Sequence, residues 1–376
     1  MKKHRTWAEI NLGCLARNLE HVRHHAGPGA KVLVVVKADA YGHGAVPLAR
    51  TALESGAAMV GVGDSNEAIH LREAGVLAPI LILGALIEEE IGWVVSYDII
   101  PTIHSLDMVD LLEQEARRQG KRVPVHLKVD TGMARLGASP SRAVEIAQRV
   151  GQSSHLVLDG VSSHFASLNT EDVVSGHVQL ERFREVLDAL AREGIRPRYI
   201  HIANTAGIHL IPECRFNLVR VGGAIYGIDT HALRPDRFPY EPILSMKSQV
   251  TFLKGVRAGT PVGYGGTYVA ARDTMLATIP VGYNDGYPWR LSNQGQVLIR
   301  GSFAPVAGRV TMDYLMADVG QIPEVAVGDE VVLIGRQGDH RIRVEDLARI
   351  AGTIPYEITC SLGRRVRRVY VGESEA

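Results

Sequence analysis

The sequence predicts a two-domain α/β protein, in which a TIM-type (β/α)8 barrel is followed by a mainly antiparallel β domain. Three observations predict this fold. Eight short apolar runs lie between about residues 30 and 230, and helix-like stretches separate them. After about residue 235 the pattern changes to alternating β-rich runs with Gly/Pro turns. We therefore place the barrel at residues 1–235 and the β domain at residues 236–376.

The eight apolar runs have the composition of parallel strands that are buried on both faces. The clearest helical segment between them is 171–193, where Leu180, Phe183 and Leu190 share one stripe with Val186 and Leu187. Eight βα units in about 200 residues match a barrel, and a doubly wound sheet remains the alternative. The runs are 32–36, 58–62, 79–83, 98–103, 123–129, 156–163, 199–202 and 217–221, with further helices expected at 65–74 and 105–119.

The second domain begins after a linker that contains Pro235, Pro239 and Pro242. Alternating β-rich runs and Gly/Pro turns follow, which is typical of an antiparallel sheet. We expect strands at 246–253, 275–281, 296–299 and 331–334, and one helix at 344–350.

Composition narrows the function classes. The 376 residues carry 41 Lys+Arg and 41 Asp+Glu, so the chain lacks the net positive charge that nucleic-acid or anionic-membrane binding usually needs. Cys14, Cys214 and Cys360 lie far apart, which favours a reducing compartment. No signal-peptide core and no membrane-length apolar stretch is present, and no ligand set suggests a metal, so we expect a metal-free cytoplasmic protein.

Chemically active side chains follow several of the predicted barrel strands at their carboxyl ends. Lys37 follows the first apolar run, where partial desolvation of its amine is expected. The active sites of such barrels lie at this end, and phosphate groups often bind after strands seven and eight. The other candidates are Lys128, Asp130 and Arg135 after the fifth run, His164 after the sixth, Asn204 and Thr205 after the seventh, and Arg220, Gly222 and Gly223 at the eighth.

An amine beside a phosphate-binding region suggests pyridoxal 5′-phosphate held on the lysine. The segments VVVKADAYGHG, DTGMARLG, HIANTAG, FNLVRVGGAIYG, VGYNDGYPWRL, GRVTMD and PYEITC carry a closer resemblance. They resemble, in order and over nearly the whole chain, the signature segments of the PLP-dependent, fold-type III alanine racemases.

This resemblance implies a two-base mechanism. Lys37 carries the cofactor and acts as one catalytic base, and Tyr283 corresponds to the second base on the opposite face of the substrate Cα. Racemisation removes a proton from one face and returns one to the other, so two acid/base groups are needed. The family places the tyrosine in the partner subunit, which implies a homodimer with shared active sites.

The resemblance also assigns the remaining site. Arg220 faces the pyridine nitrogen with His164 beside it, and a permanently charged guanidinium there favours return of the proton to Cα over transamination. Lys128, which many relatives carbamylate, orients the substrate-binding Arg135. The phosphate-binding positions are Tyr41, Asn204, Thr205, Gly222 and Tyr356; Arg135 and the backbone N–H of Met312 receive the substrate carboxylate; Arg309 and Asp313 support the entrance.

The predicted function is interconversion of L-alanine and D-alanine, which supplies D-alanine for peptidoglycan. A racemase of serine or of broader specificity on the same fold is the main alternative. Basic amino-acid decarboxylases need no equivalent of Tyr283, and a barrel-only PLP carrier would lack the second domain. Two local departures are Thr205, where serine is commoner, and Gly223, where we expect a branched residue in some relatives.

Overall fold

The structure, a computed structural model, describes residues 4–229 and 238–372. It divides into two compact units. The α/β unit comprises Leu15–Ala40 and Ala45–Glu241, and the β unit comprises Met1–Cys14, Tyr41–Gly44 and Pro242–Ala376. The predicted boundary at residues 235 and 236 lies outside the described residues and stays a prediction.

The secondary structure elements follow in chain order. The strands are β1 (Thr6–Asn11), β2 (Lys31–Val35), β3 (Met59–Val62), β4 (Ile80–Ile82), β5 (Thr102–Ile103), β6 (Val123–Lys128), β7 (Leu156–Ser162), β8 (Tyr199–His201), β9 (Leu218–Val221), β10 (Leu244–Gln249), β11 (Phe252–Val256), β12 (Pro261–Val262), β13 (Tyr268–Val269), β14 (Thr274–Ile279), β15 (Gln296–Ile299), β16 (Ser302–Pro305), β17 (Leu315–Asp318), β18 (Glu330–Gln337), β19 (His340–Ile342) and β20 (Arg367–Val371). The helices are α1 (Leu12–Ala26), α2 (Lys37–Tyr41), α3 (Ala45–Glu54), α4 (Ser65–Glu73), α5 (Ile91–Ser96), α6 (Leu106–Gln119), α7 (Pro140–Gly151), α8 (Val174–Arg192), α9 (Thr205–Leu210), α10 (Gly223–Tyr226), α11 (Val344–Ala351) and α12 (Pro355–Cys360).

The α/β unit is built on parallel strands β2 to β9, which lie where the eight apolar runs predict them. They pair as β4-β3-β2-β9 and β5-β6-β7-β8. Backbone hydrogen bonds join the two sheets at both seams, from Ile82 N to Ile100 O (2.9 Å), from Ile100 N to Ile80 O (2.9 Å) and from Arg220 N to Ala203 O (2.9 Å). The eight strands therefore follow one another around a barrel.

The helices of this unit form where sequence signals place them. Ser105 accepts a hydrogen bond from Met108 N at the start of α6, and Gly120, with φ of 65°, ends that helix in the left-handed conformation. The predicted stripe of α8 is confirmed, since Leu180, Phe183, Val186 and Leu190 are buried. Leu187 is half-buried.

The β unit contains a seven-stranded sheet in the order β16-β15-β18-β10-β1-β20, with β19 on β18, and smaller sheets β11-β14-β17 and β12-β13. Its pairings are antiparallel except for β1 with β20. The single strand expected at 246–253 is wrong. The chain leaves the large sheet after β10, where Val250 N bonds Asp329 O, and enters the three-stranded sheet as β11.

Candidate active site

One end of the α/β unit gathers most of the predicted side chains. Lys128 ends β6, Arg220 lies in β9, and Lys37, His164 and Thr205 follow β2, β7 and β8 closely. Carboxyl ends of parallel strands in a barrel meet at the same edge. These residues therefore lie around one opening of the barrel.

Lys37 begins a left-handed turn. Residues 38–41 all have φ between 50° and 56°, a conformation that costs non-glycine residues free energy unless the surroundings hold it. Glu67 of α4 supplies part of this support, since its carboxylate accepts from Ala38 N (2.5 Å) and from Gly63 N (2.7 Å). Lys37 is exposed, so the expected desolvation of its amine is wrong for this chain by itself.

Arg220 is buried, with 5% of its surface exposed, and has neutral partners. Its Nη1 donates to His201 Nδ1 (2.8 Å) and His201 O (3.0 Å). Its Nη2 lies within donating distance of Ser163 O (2.7 Å), His164 Nδ1 (3.1 Å) and Ile202 O (3.1 Å). Within the described residues the Nε–H of Arg220 makes no hydrogen bond. The guanidinium is thus held by its two terminal nitrogens, and its Nε–H is available to a ligand.

Burial and positive charge dominate the electrostatics here. Burial lowers the pKa of Arg220 to about 10, which still leaves the guanidinium charged at neutral pH. Burial, with Arg220 as the next cause, holds the pKa of His164 well below its usual value, and Lys128, Arg135 and Lys37 act in the same direction. His164 is therefore a neutral acceptor surrounded by cations.

Lys128 has an electrostatically unusual position. Burial of its amine, followed by the charges of Arg220 and Arg135, lowers its pKa well below that of an ordinary lysine, while Asp130 acts in the opposite direction. A lysine in such surroundings holds its amine in the neutral, nucleophilic form more readily than one in water. Arg135 itself is exposed.

The predicted phosphate-binding residues of this unit lie at helix starts. Asn204 caps α9, its Oδ1 accepting from Gly207 N at 2.9 Å, and Thr205 is buried as the first residue of that helix. Gly222 directly precedes α10. These short helices direct backbone N–H groups toward the same end of the barrel as Lys37.

The β unit brings together the two tyrosines that sequence analysis assigns to the phosphate. The rings of Tyr41 and Tyr356 have centroids 4.9 Å apart at an angle of 56°. The segment that carries Tyr41 is fixed within this unit, since Arg368 Nε donates to Gly42 O (3.1 Å) and the Tyr370 hydroxyl to His43 O (3.1 Å).

Tyr283 and Met312 lie on neighbouring segments of the β unit. Tyr283 N donates to Thr311 O (3.0 Å), and its side chain is 45% exposed. Among the described residues the Met312 N–H donates no hydrogen bond, and its role as a donor to the substrate carboxylate stays a prediction.

An ion-pair cluster fixes these segments. Arg365 donates through Nε to Asp285 Oδ1 (2.6 Å) and through Nη2 to Asp285 Oδ2 (2.9 Å), while Nη1 pairs with Asp313 Oδ1 (2.6 Å). Hydrogen bonds to the two carboxylates raise the pKa of Arg365. The cluster thus connects the turn of Tyr283 with the segment that carries Met312 and Asp313, and the predicted supporting role of Asp313 at the entrance stays a prediction.

A second tyrosine of the β unit, Tyr264, was not selected from the sequence and is more exposed to solvent than Tyr283. Tyr264 is 72% exposed on a turn whose glycines Gly263, Gly265 and Gly266 all have positive φ. A Cβ at Gly265 would lie 3.7 Å from the guanidinium carbon of Arg309, so this cation lies beside the turn. A tyrosine enclosed by the run VGYGG was the signal available in the sequence.

The structure therefore groups the predicted residues into two sets. The α/β unit holds Lys37, Lys128, Arg135, His164, Asn204, Thr205, Arg220 and Gly222, and the β unit holds Tyr41, Tyr283, Arg309, Met312, Asp313 and Tyr356. Sequence analysis missed Glu67, His201 and Tyr264.

Two family models together match most of the chain. "Alanine racemase, N-terminal domain" matches residues 10–230, and "Alanine racemase, C-terminal domain" matches residues 243–370. The chain belongs to the alanine racemase family. The alanine racemase of Halothermothrix orenii is 42% identical over 365 residues, covering 97% of this chain and 96% of the relative. That of Syntrophobacter fumaroxidans is 43% identical over 360 residues, covering 96% of each.

Solved structures of the family share the fold. Alanine racemase from the D-cycloserine producer Streptomyces lavendulae superimposes with a TM-score of 0.92 at 35% identity, covering 100% of this chain and 99% of that one. The Bacillus anthracis enzyme, solved with bound L-Ala-P, gives 0.91 at 34% identity, covering 99% and 97%. The prediction of a racemase of this family is confirmed. Among the described helices, none has the length and apolar character to cross a membrane.

Proposed function

We propose that this chain interconverts L-alanine and D-alanine with pyridoxal 5′-phosphate bound at Lys37. The observation that carries the proposal is an exposed lysine at the same end of the barrel as a buried arginine with one donor remaining. The donor set fits the cofactor, because Lys37 offers the amine, Arg220 the Nε–H toward a ring nitrogen, and the starts of α9 and α10 backbone N–H groups toward a phosphate. When bound, pyridoxal phosphate withdraws electrons from Cα and so acidifies its proton.

The other side chains bind and orient. Tyr41, Asn204, Thr205, Gly222 and Tyr356 hold the phosphate. Arg135 and the Met312 N–H bind the substrate carboxylate, Arg309 and Asp313 support the entrance, and Lys128, carbamylated on its neutral amine, orients Arg135. Lys37 moves the proton on one face of Cα.

A tyrosine of the β unit serves the opposite face, and two candidates stand. Tyr283 is the residue predicted from sequence. Tyr264 is favoured by its neighbour, since a phenol acts as a base at neutral pH only when a cation stabilises the phenolate. Among the described residues Arg309 forms no ion pair, whereas Arg365, near the Tyr283 turn, is neutralised by Asp285 and Asp313.

Exposed apolar side chains on the β unit support a homodimer with shared sites. Phe252, Tyr264, Val269, Trp289 and Met312 are each more than half exposed. Surface of this kind marks an interaction site when it is contiguous, and a second copy of the chain is the occupant we propose. We further propose that the D-alanine product supplies peptidoglycan synthesis and that the protein is cytoplasmic.

Chiral analysis of L-alanine, and separately of L-serine, after incubation with the purified protein and pyridoxal phosphate tests the function. We expect D-alanine to form well ahead of D-serine. Lys37→Ala should lose both racemisation and the visible absorption band of the lysine-bound cofactor. Faster conversion of serine would shift the specificity to the alternative, and formation of neither D-product would contradict the proposal.

The tyrosine is identified by comparing Tyr264→Phe with Tyr283→Phe, each serving as the control for the other. The variant that lacks the base should lose exchange of the Cα proton with solvent from one enantiomer far more than from the other. Equal and mild losses in both variants would argue against a tyrosine base.

A further inference from the structure

Two further histidines lie in series behind Arg220. His201 accepts from Arg220 through Nδ1, and its Nε2 lies 2.9 Å from Nδ1 of His126. His126 is fully buried and His201 is 1% exposed. Gly160 of β7 makes room for the inner ring, because a Cβ there would lie 2.5 Å from the His126 ring atoms.

The protons on these rings follow from the donors. Arginine has no acceptor, so His201 Nδ1 opposite Arg220 Nη1 carries no proton. A neutral His201 then has its proton on Nε2 and donates it to His126 Nδ1. His126 in turn carries its own proton on Nε2.

The series ends at a carboxylate. The Nε2 of His126 is buried and has no hydrogen-bond partner among the described residues, and Asp159 Oδ2 is 3.8 Å from it. That distance is too long for a hydrogen bond. The negative charge still favours an N–H facing it, and 18% of the Asp159 side chain is exposed to solvent.

We infer that His126 and Asp159 are positioning residues for Arg220, and that they act through His201 by fixing both histidines in the Nε2–H tautomer. The inference rests on the proposed function only for the chemical use of Arg220. The reversed tautomer of His201 would direct an N–H at the Arg220 Nη1–H and displace the guanidinium. The Arg220 N–H at one end of the series and the Asp159 carboxylate at the other both disfavour that tautomer of His201.

The neutral state of both rings agrees with their surroundings. Burial lowers the pKa of His126, and Arg220 acts in the same direction, while Asp159 acts in the opposite one. Burial, followed by Arg220, holds the pKa of His201 well below its usual value. If His201 were protonated, both of its ring nitrogens would be donors, so it could not accept the hydrogen bond from Arg220.

Nuclear magnetic resonance of the holoenzyme labelled with ¹⁵N in its histidine rings tests the tautomers directly. Correlations between ring nitrogens and ring carbon-bound protons distinguish Nε2–H from Nδ1–H. We expect the Nε2–H form for both His126 and His201 in the wild-type protein. A proton on Nδ1 of His201 would overturn the inference, and this measurement needs no variant to fold.

Three variants then test the positioning role. His126→Phe leaves the Nε2–H of His201 without an acceptor, and kcat should fall roughly 10- to 100-fold, the range found when a metal-binding histidine loses its outer hydrogen-bond partner. The KM for alanine should change little, because the substrate does not touch His126. His126→Asn places an oxygen near the position of Nδ1 and should restore most of the rate.

His155→Phe is the matched control. That ring also faces a carboxylate, with Nδ1 3.0 Å from Glu113 Oε1, but it is not part of the series at Arg220, so it should leave kcat unchanged. Equal losses in His126→Phe and His126→Asn would indicate a purely structural role and overturn the inference, as would a wild-type rate in His126→Phe. A wild-type protein with the expected tautomers but no racemisation would support the histidine assignment and contradict the proposed function instead.

Discussion

Two arginines, one in each unit, show opposite ways to hold a guanidinium. Arg220 is buried and has only imidazoles and carbonyls as partners, and burial lowers its pKa to about 10. The Arg365 side chain is 44% exposed, has two carboxylate partners, and its pKa is raised by them.

The difference separates two uses of charge. Neutral acceptors orient Arg220 without cancelling its positive charge, which is then available to a bound group. The carboxylates of Asp285 and Asp313 cancel the charge of Arg365, so this arginine joins segments of the β unit instead. A buried cation without a counter-ion is costly, and such costs concentrate at functional sites.

Replacing each arginine by lysine should give the largest contrast between the units. In Arg220→Lys an ammonium cannot reach His201, His164 and the carbonyls together. Several buried acceptors then lose their donors, and we expect the free energy of unfolding to fall by about 3 kcal/mol. In Arg365→Lys the ammonium can still pair with a carboxylate, and we expect a loss of about 1 kcal/mol or less.

Urea unfolding followed by circular dichroism measures both losses. Similar losses in the two variants would contradict the distinction, because they would show that the neutral partners of Arg220 are as replaceable as the ion pairs of Arg365.

From the sequence, the positions of the candidate side chains could be predicted better in the α/β unit than in the β unit. Lys37, Lys128 and Arg220 were selected because parallel strands fix which end of each run carries chemistry. His201 and His126 were missed because a histidine inside a strand has the sequence pattern of any buried residue, and only the paired strands of the folded chain show that the two rings are neighbours.

In the β unit the hydrophobic pattern of the sequence says less about strand pairing, because many strands pair with partners that are distant in sequence. β1 (Thr6–Asn11) pairs with β20, more than 350 residues away in sequence, and no local signal gives that partner. The division of the expected run 246–253 into β10 and β11 has the same origin, since the chain changes sheets within an unbroken alternating pattern. The choice between Tyr264 and Tyr283 as the proposed second base depends likewise on which tyrosine lies beside a cation.

The two carboxylates of the β unit should differ in the same way as the two arginines. Only 3% of the Asp285 side chain is exposed, and it also accepts from Gly282 N (2.9 Å), whereas the Asp313 side chain is 43% exposed. Asp285→Asn places an amide against the guanidinium and should lower the free energy of unfolding by about 2 kcal/mol. Asp313→Asn should cost about 0.5 kcal/mol. A larger loss from Asp313→Asn, measured by the same urea titration, would reverse the assignment of the structural partner.

The smallest expected contrast is a dependence of stability on pH, which arises because His201, a partner of Arg220, is neutral in the folded chain. The pKa of His201 in the folded chain lies well below the value of about 6.5 for an exposed histidine. Below pH 6.5 this histidine therefore binds a proton in the unfolded chain but not in the folded chain. The free energy of unfolding consequently falls as the pH falls. For this one histidine the slope is about 0.7 kcal/mol per pH unit at pH 6.5 and approaches about 1.4 kcal/mol per pH unit well below it.

Comparison with His201→Asn isolates this slope, because asparagine keeps an acceptor for Arg220 but does not titrate. Between pH 6.5 and 5.5 the wild-type protein should lose about 1 kcal/mol more than the variant, because the unfolded histidine is only half protonated at pH 6.5. If the His201→Asn variant loses stability in parallel with the wild-type protein, then His201 is protonated in the folded chain and the neutral partner set of Arg220 is refuted.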